Sequence, residues 1–360
     1  MALTQVQPGM LASDSQYTGF KNRIINGAMP VSQYYGSTDT AVTGSVQYMV
    51  DRWRSIEITD GAMSVQQSTT STAGFNNSMK FTVTTADASL SAGQLCGFNQ
   101  FIEGYNTADL GWGTANAATV TLSFWVRSSL TGTFAGAFRN SATDRTYIFT
   151  YTISSANTFE YKTITVAGDT SGTWDKTNGA GIDVIFSLGT GTTYQGTAGS
   201  WQASAAFNTS GAVSVIGTLN ATFYITGVQL EKGSTATSFD YRPYPVEFSM
   251  CQRYYQKVTT SESGKGIGVG FYYTTTTAIA QIPFQTYMRA TPTADVNSGT
   301  NYFSLFTNGA GDNFDTVSLN EASTYTAAVT NTTQASGVAG MAGQFKTNNA
   351  SASLAFSAEL

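Results

Sequence analysis

Apolar and polar positions alternate with a period of two through most of this chain, the signature of strands with one face in a core. In TVTLSFWVRSS, Val120, Leu122, Phe124 and Val126 share one face, while Ser123, Trp125 and Arg127 share the other. The same rhythm places Tyr147, Phe149, Tyr151 and Ile153 together, then Met79, Phe81 and Val83, then Ile182, Val184, Phe186 and Leu188. Turn clusters such as NSATD, AGDTSGT, TNGAG and GTGTTYQGTAGS separate these runs. Many short alternating strands joined by Gly-rich turns predict an all-β fold of antiparallel sandwich or jelly-roll type. One strand breaks its phase. In TFYITGVQLEKG, Phe223 and Ile225 share a face but Val228 and Leu230 fall on the opposite one, and a β-bulge at or beside Gly227 would restore all four to the core.

The rhythm changes near residue 245. FDYRPYPVEFSMCQRYYQK carries Pro243 and Pro245, then Phe248, Cys251 and Tyr255 at helical spacing, which predicts a short helix after the prolines. Beyond it GIGVGFYY, TAIAQIPF, NYFSLF, DTVSL and SASLAFSAEL return to strand patterning, and the last predicts a strand over about 351–358. The chain therefore divides into an N-terminal arm (1–25), a large sandwich (26–245), and a short helix with a smaller sandwich (246–360).

Composition narrows the partners. Only 11% of the 360 residues are charged, against roughly 25% in an average domain, and Ser, Thr, Asn, Gln and Gly fill the gap. The net charge is −5 and no Lys/Arg run occurs, so nucleic acid is not an expected partner. The N-terminus has no basic start and no apolar segment of a signal peptide, and no stretch reaches the roughly 20 apolar residues of a membrane span. Histidine is absent, which excludes Ser-His-Asp and Cys-His nucleophile systems and His-ligated zinc. Cys96 and Cys251 read as reduced, buried thiols. SESGKGIG has Gly266 where a phosphate loop needs Ser or Thr, so that reading fails.

Several segments carry a resemblance: NRIINGAMPVSQ, DRW, FIEGYNTADLGWGT, VTLSFWVRSSLTGTFAGAFRNSATDRTYIFTYTI, TITVAGDTSGTW, FYITGVQLEKGSTATSFDYRPY and CQRYY. Over roughly residues 22–256 the chain resembles phage and prophage tail-fibre-like proteins, whose main domain is similar to a carbohydrate-binding-module jelly roll. The resemblance implies a virion component made in the host cytoplasm, a homotrimer, and recognition of a host surface glycan. The N-terminal arm would dock to other virion proteins. The leading expectation is a non-enzymatic fibre or receptor-binding protein; the alternatives are a capsid or tail decoration protein and, behind it, a polysaccharide depolymerase.

Candidate residues fall into two groups, and no catalytic residue is among them. DRWRSIE puts Asp51, Arg52, Trp53 and Arg54 in an opening strand, with Glu103 of FIEG as a second carboxylate, and reads as a structural cluster in which a buried guanidinium has an acid partner. Sugar sites of such modules place aromatic rings against pyranose faces. That makes Tyr105, Trp112, Trp174, Tyr194 and Trp201, in or beside Gly/Thr/Asn-rich loops, the glycan-binding candidates, although each taken singly reads first as a local core plug. Trp125 lies opposite the Leu122 and Phe124 face, either exposed or against a neighbouring subunit. No cofactor and no metal site are expected, apart from structural calcium at loop carboxylates such as Asp169, Asp175 or Glu231.

Overall fold

Alternation becomes sheet structure in two units, one reaching Tyr244 and one spanning Pro245–Glu359. The computed structural model describes residues 20–259 and 261–360. The first unit holds β1 (Thr40–Ala41), β2 (Val46–Val50), β3 (Trp53–Ile58), β4 (Ala62–Ser68), β5 (Ser78–Thr85), β6 (Leu95–Glu103) and β7 (Val120–Ser128). It continues with β8 (Gly132–Arg139), β9 (Thr146–Ile153), β10 (Glu160–Val166), β11 (Ala180–Thr190), β12 (Trp201–Gln202) and β13 (Thr222–Lys232). These form two antiparallel sheets, ordered β1-β4-β5-β13-β7-β10 and β12-β9-β8-β11-β6-β3-β2. The all-β antiparallel sandwich is as expected.

The core lies where the alternating faces meet. Phe98 stacks between Phe81 of the opposite sheet (4.7 Å between ring centroids) and Phe186 of its own (5.0 Å), with Trp53 at 6.1 Å. The bulge is present: pairing of β13 with β7 slips between Thr226 and Gln229, and Gly227 adopts φ +60°. Phe223, Ile225, Val228 and Leu230 are all fully buried as a result. Beyond the bulge, residues 22–28 flank β13. The Val228 amide donates to the Gly27 carbonyl, and the Arg23 amide donates to the Leu230 carbonyl. Of the arm expected over 1–25, residues 1–19 lie outside the described residues. Residues 21–25 are buried and belong with the sandwich.

DRWRSIE is a hairpin rather than one strand. β2 pairs with β3, and Asp51 and Arg52 form the turn between them, Arg52 in the left-handed region at φ +70°. Trp53 is fully buried and its indole donates to the Asn26 carbonyl at 3.1 Å. Arg52 is also buried and donates to the Phe101 carbonyl at 2.7 Å, while both Asp51 oxygens accept from Gln33. Glu103 is buried at the end of β6. Arg54 points to the other face, where a polar chain crosses four strands. Its Nε donates to Asn99 Oδ1 at 3.0 Å, Asn99 donates to Asp183, and Arg139 donates twice to the same carboxylate at 3.1 and 2.7 Å. The long loop after β11 covers this face, and Phe207 with Ala206 completes a second apolar layer against Ala135, Ala137, Ile148 and Ile185.

Two carboxyls in this unit titrate unusually high. Burial pushes Glu57 up to about 7 from its ordinary 4.5, and pushes Asp51 up to about 6 from 3.8, with Gln33 and Arg52 offsetting part of the Asp51 effect. Folded protein therefore holds these protons more tightly than unfolded protein, so stability should rise as pH falls from about 7 toward 4.5, and gain nothing further below the unfolded values. Below that, Asp87, Asp109 and Glu160, held low in the fold, should reverse the trend. Urea denaturation at pH 7.5 and pH 5 should differ by on the order of 1–2 kcal/mol in favour of pH 5, allowing for the partial solvation of Glu57. Glu57→Gln should flatten most of that slope; an unchanged slope would place its origin elsewhere.

The second unit opens with α1 (Tyr244–Gln252), which begins at the prolines with Pro245 in its first turn. Tyr255, expected in register with the helix, instead belongs to β14 (Tyr255–Lys257), because the chain leaves the helix at Gln252. The other strands are β15 (Gly266–Thr274), β16 (Thr277–Pro283), β17 (Thr293–Val296), β18 (Phe303–Thr307), β19 (Ala310–Phe314), β20 (Ser318–Ala322), β21 (Thr326–Asn331), β22 (Ala342–Thr347) and β23 (Leu354–Ser357). They form a seven-stranded sheet, β19-β18-β22-β15-β16-β21-β20, and a three-stranded one, β14-β23-β17. The C-terminal strand is thus the middle of its sheet, with Leu354, Ala355 and Phe356 fully buried. Cys96 and Cys251 are buried and not joined in a disulfide, and among the described residues no helix is long and apolar enough to cross a membrane.

Candidate functional site

The five aromatic candidates do not come together as one platform. Trp112 and Trp174 are 2% and 6% exposed, and with Trp201 they close on one another edge-to-face at 4.7, 5.3 and 5.5 Å. Each indole N–H is satisfied internally, by the carbonyls of Ala118, Ser171 and Ala167 respectively. Trp112 and Trp174 therefore offer no ring face to a sugar: the Gly/Thr-rich loops that carry them fold inward, because three large rings bury more surface on each other than in water. Trp201 is half-buried and edge-on to Tyr147 at 5.4 Å. Tyr194 rests on Phe207 at 5.8 Å, and its carbonyl accepts from the Phe207 and Asn208 amides, which ties down the long loop. Tyr105 alone is largely exposed, 63%, on a single 3-10 turn.

The calcium candidates are likewise dispersed. Both Asp169 oxygens accept from Arg145 at 2.7 and 2.8 Å, so a guanidinium stands where a cation would. Asp175 caps its own loop through Thr177, and Glu231 is buried and accepts from Gln229 and from the Thr237 amide and hydroxyl. No group of three or more acidic or cysteine ligands occurs among the described residues.

A cleft of about 350 Å³ lies on the outward face of the six-stranded sheet. Alternation in β7 turns Trp125 outward, and its cross-strand partner in β10 is Tyr161, the two rings 5.3 Å apart. Across the bulge stand Phe75, Phe239 and Tyr241, packed on one another at 4.9–5.6 Å. The Tyr241 hydroxyl donates to the Gly74 carbonyl, joining the 235–241 segment to the turn after β4. Gly227 is the floor: a Cβ there would come within 2.6 Å of Phe75 Cζ and 3.1 Å of Trp125 Cδ1. Tyr161 and Tyr241 are 43% and 60% exposed, so both side chains reach solvent at the cleft. Gly227→Ala should cost about 1–2 kcal/mol through the left-handed backbone alone and push the rings into the cleft. A parallel drop in urea midpoint and in ligand affinity is the expected result, and loss of neither would remove Gly227 from this role.

Sequence reasoning missed most of this cleft. Alternation did place Trp125 on the outward face and the bulge at Gly227, but Phe75, Tyr161, Phe239 and Tyr241 carried no local signal, since three separate segments bring them together.

Neither a family profile nor a curated protein sequence matches the chain. Among solved structures, the enzymatically active domain of tailspike protein 4 of bacteriophage CBA120 overlaps it at 12% identity and a TM-score of 0.30, covering 59% of this chain and 21% of that one. A CBM4 module overlaps at 13% identity, covering 58% of this chain and 98% of the module, TM-score 0.30. The family 11 carbohydrate-binding module of Clostridium thermocellum does so at 13% identity, covering 56% and 100%, TM-score 0.28.

Proposed function

We propose that this chain is a phage virion protein, a fibre or receptor-binding component, whose first unit binds host-surface glycan without cleaving it. The observation that carries the reading is the cleft. Tyr161 and Tyr241, with the half-buried Trp125, line the cleft with aromatic surface, and aromatic rings are the surfaces on which the apolar faces of sugars rest. The virion setting rests on the resemblance of residues 22–256 to tail-fibre-like proteins. On this reading the N-terminal arm attaches the chain to other virion proteins, and a homotrimer turns three weak sites into one avid contact.

The test is a screen of purified protein against bacterial surface polysaccharides, with Trp125→Ala and Tyr161→Ala alongside. Binding by the parent and a roughly tenfold or greater loss in each variant is expected for truncated aromatic anchors. Absence of binding to any glycan would overturn the reading and leave the decoration role; shortening of the polysaccharide would favour a depolymerase. Light scattering that returns a monomer would remove the trimer.

A further inference from the structure

The outward face of the six-stranded sheet continues past the cleft. Tyr224 of β13 pairs with Arg127 of β7 on one side and with Lys80 of β5 on the other, and Lys80 pairs with Gln66 of β4. Cross-strand partners share a face, so these four side chains form one row. It lies beside the row of Thr226, Trp125 and Tyr161, two residues away along β13 and β7. Two residues of strand span roughly 7 Å, and β5 and β7, with β13 between them, stand about 10 Å apart. The aromatic wall of the cleft is therefore bordered by a row that holds two cations.

Neither cation has an acid partner among the described residues. The Arg127 guanidinium lies over the Tyr224 ring at 4.8 Å, with the Phe159 ring at 6.0 Å, and its Nε is buried without an acceptor. Lys80 donates to the neutral Gln66 Oε1 at 3.2 Å. Glu160, next to Phe159 in sequence, is held by Lys162 and by the Ser154 and Ser155 amides. Arg127 and Lys80 are half-buried, and Tyr224 between them is 8% exposed. A guanidinium resting on a ring can still present its N–H edge to two oxygens of a carboxylate or phosphate. A cation partly withdrawn from water gains most from an anion that replaces the lost hydration. The chain has 22 acids against 17 bases, so two unmatched cations on one face run against its overall balance.

Taking the cleft as a glycan site, as proposed above, we infer that its ligand is an acidic glycan. The sugar rests on Trp125 and Tyr161 and sets a carboxylate or phosphate on Arg127, and Lys80 adds positive field from two strands away.

The full chain would be titrated calorimetrically with alginate and polygalacturonate as carboxylate polymers, with a poly(glycerol phosphate) teichoic acid, and with neutral glucans before and after partial carboxymethylation. A carboxylate or phosphate polymer should bind, more weakly at 500 than at 50 mM NaCl, and carboxymethylation should strengthen a glucan roughly fivefold or more. Arg127→Gln should weaken the acidic polymer roughly tenfold or more, the scale of a lost charge-assisted hydrogen bond, and Arg127→Lys should keep part of the affinity. Lys80→Gln should cost roughly two- to fivefold. The urea midpoints of these variants should stay at the parent value. Neutral and acidic polymers bound alike, or an acidic polymer lost in Trp125→Ala but unaffected by Arg127→Gln, overturn the anion site while the glycan-binding function stands. So does a loss that follows a lowered midpoint and is not restored by Arg127→Lys. No binding by any polymer overturns both this inference and the function beneath it.

Discussion

Asp183→Ala is expected to destabilise the first unit by about 3–5 kcal/mol, the range for removing one partner of a buried ion pair. Asp183 is 1% exposed and Arg139 7%, under the loop that carries Phe207. The carboxylate accepts from Asn99 on one oxygen and twice from Arg139 on the other, and Asn99 in turn holds Arg54. Without it, the guanidinium keeps only the Ala205 carbonyl and the Phe207 ring at 5.3 Å, and Asn99 loses its acceptor. Urea denaturation reads the loss directly. A double variant, Asp183→Leu with Arg139→Met, should recover much of it, because the charge and its acceptor leave together. A single variant within 1 kcal/mol of the parent would mean that water reaches the guanidinium.

Trp112→Ala should cost a similar amount, about 3–5 kcal/mol, for a different reason. The indole fills the space between Phe138, Trp174 and Trp201, so truncation leaves a hole lined by three rings that cannot collapse into it. It would also leave the Ala118 carbonyl without its indole donor. Any glycan binding by the cleft, as proposed above, should survive in the folded remainder, since the cleft shares no residue with this cluster. Unchanged stability with abolished binding would instead make Trp112 a platform residue.

These two sites mark how far the sequence could be read. Period-two alternation identified the strands, the all-β class and the outward side of Trp125, because facing is a local property of a strand. The phase break in β13 was equally local and located the bulge. Burial of loop aromatics was partly legible: Trp112, Trp174 and Trp201 each read singly as a local core plug before a ligand platform, but they sit among glycines and threonines that look like ligand loops, and only their convergence shows that they bury each other. Asp51 and Arg52 read as strand residues because their two-residue turn has no glycine, although Arg52 takes a left-handed φ of +70° there. Asn99, Asp183 and Arg139 lie on three strands, and nothing in the order of residues announces that they meet.

The flank of β13 beyond its bulge is closed by residues 22–28, and this has a consequence for how the protein is made. Asn22 donates to the Val228 carbonyl across 206 positions of sequence, and the Arg242 guanidinium returns to the Asn22 and Ile24 carbonyls. A ribosome releases residues 22–28 long before β13, so this early segment of the unit waits for a late one. Contacts this distant make a slow folding step, and until it happens the inner strands of one sheet are open along an edge where another chain could add itself. The order of synthesis, more than the stability of the finished sandwich, should therefore decide how much of this protein reaches the folded state when many copies are translated side by side.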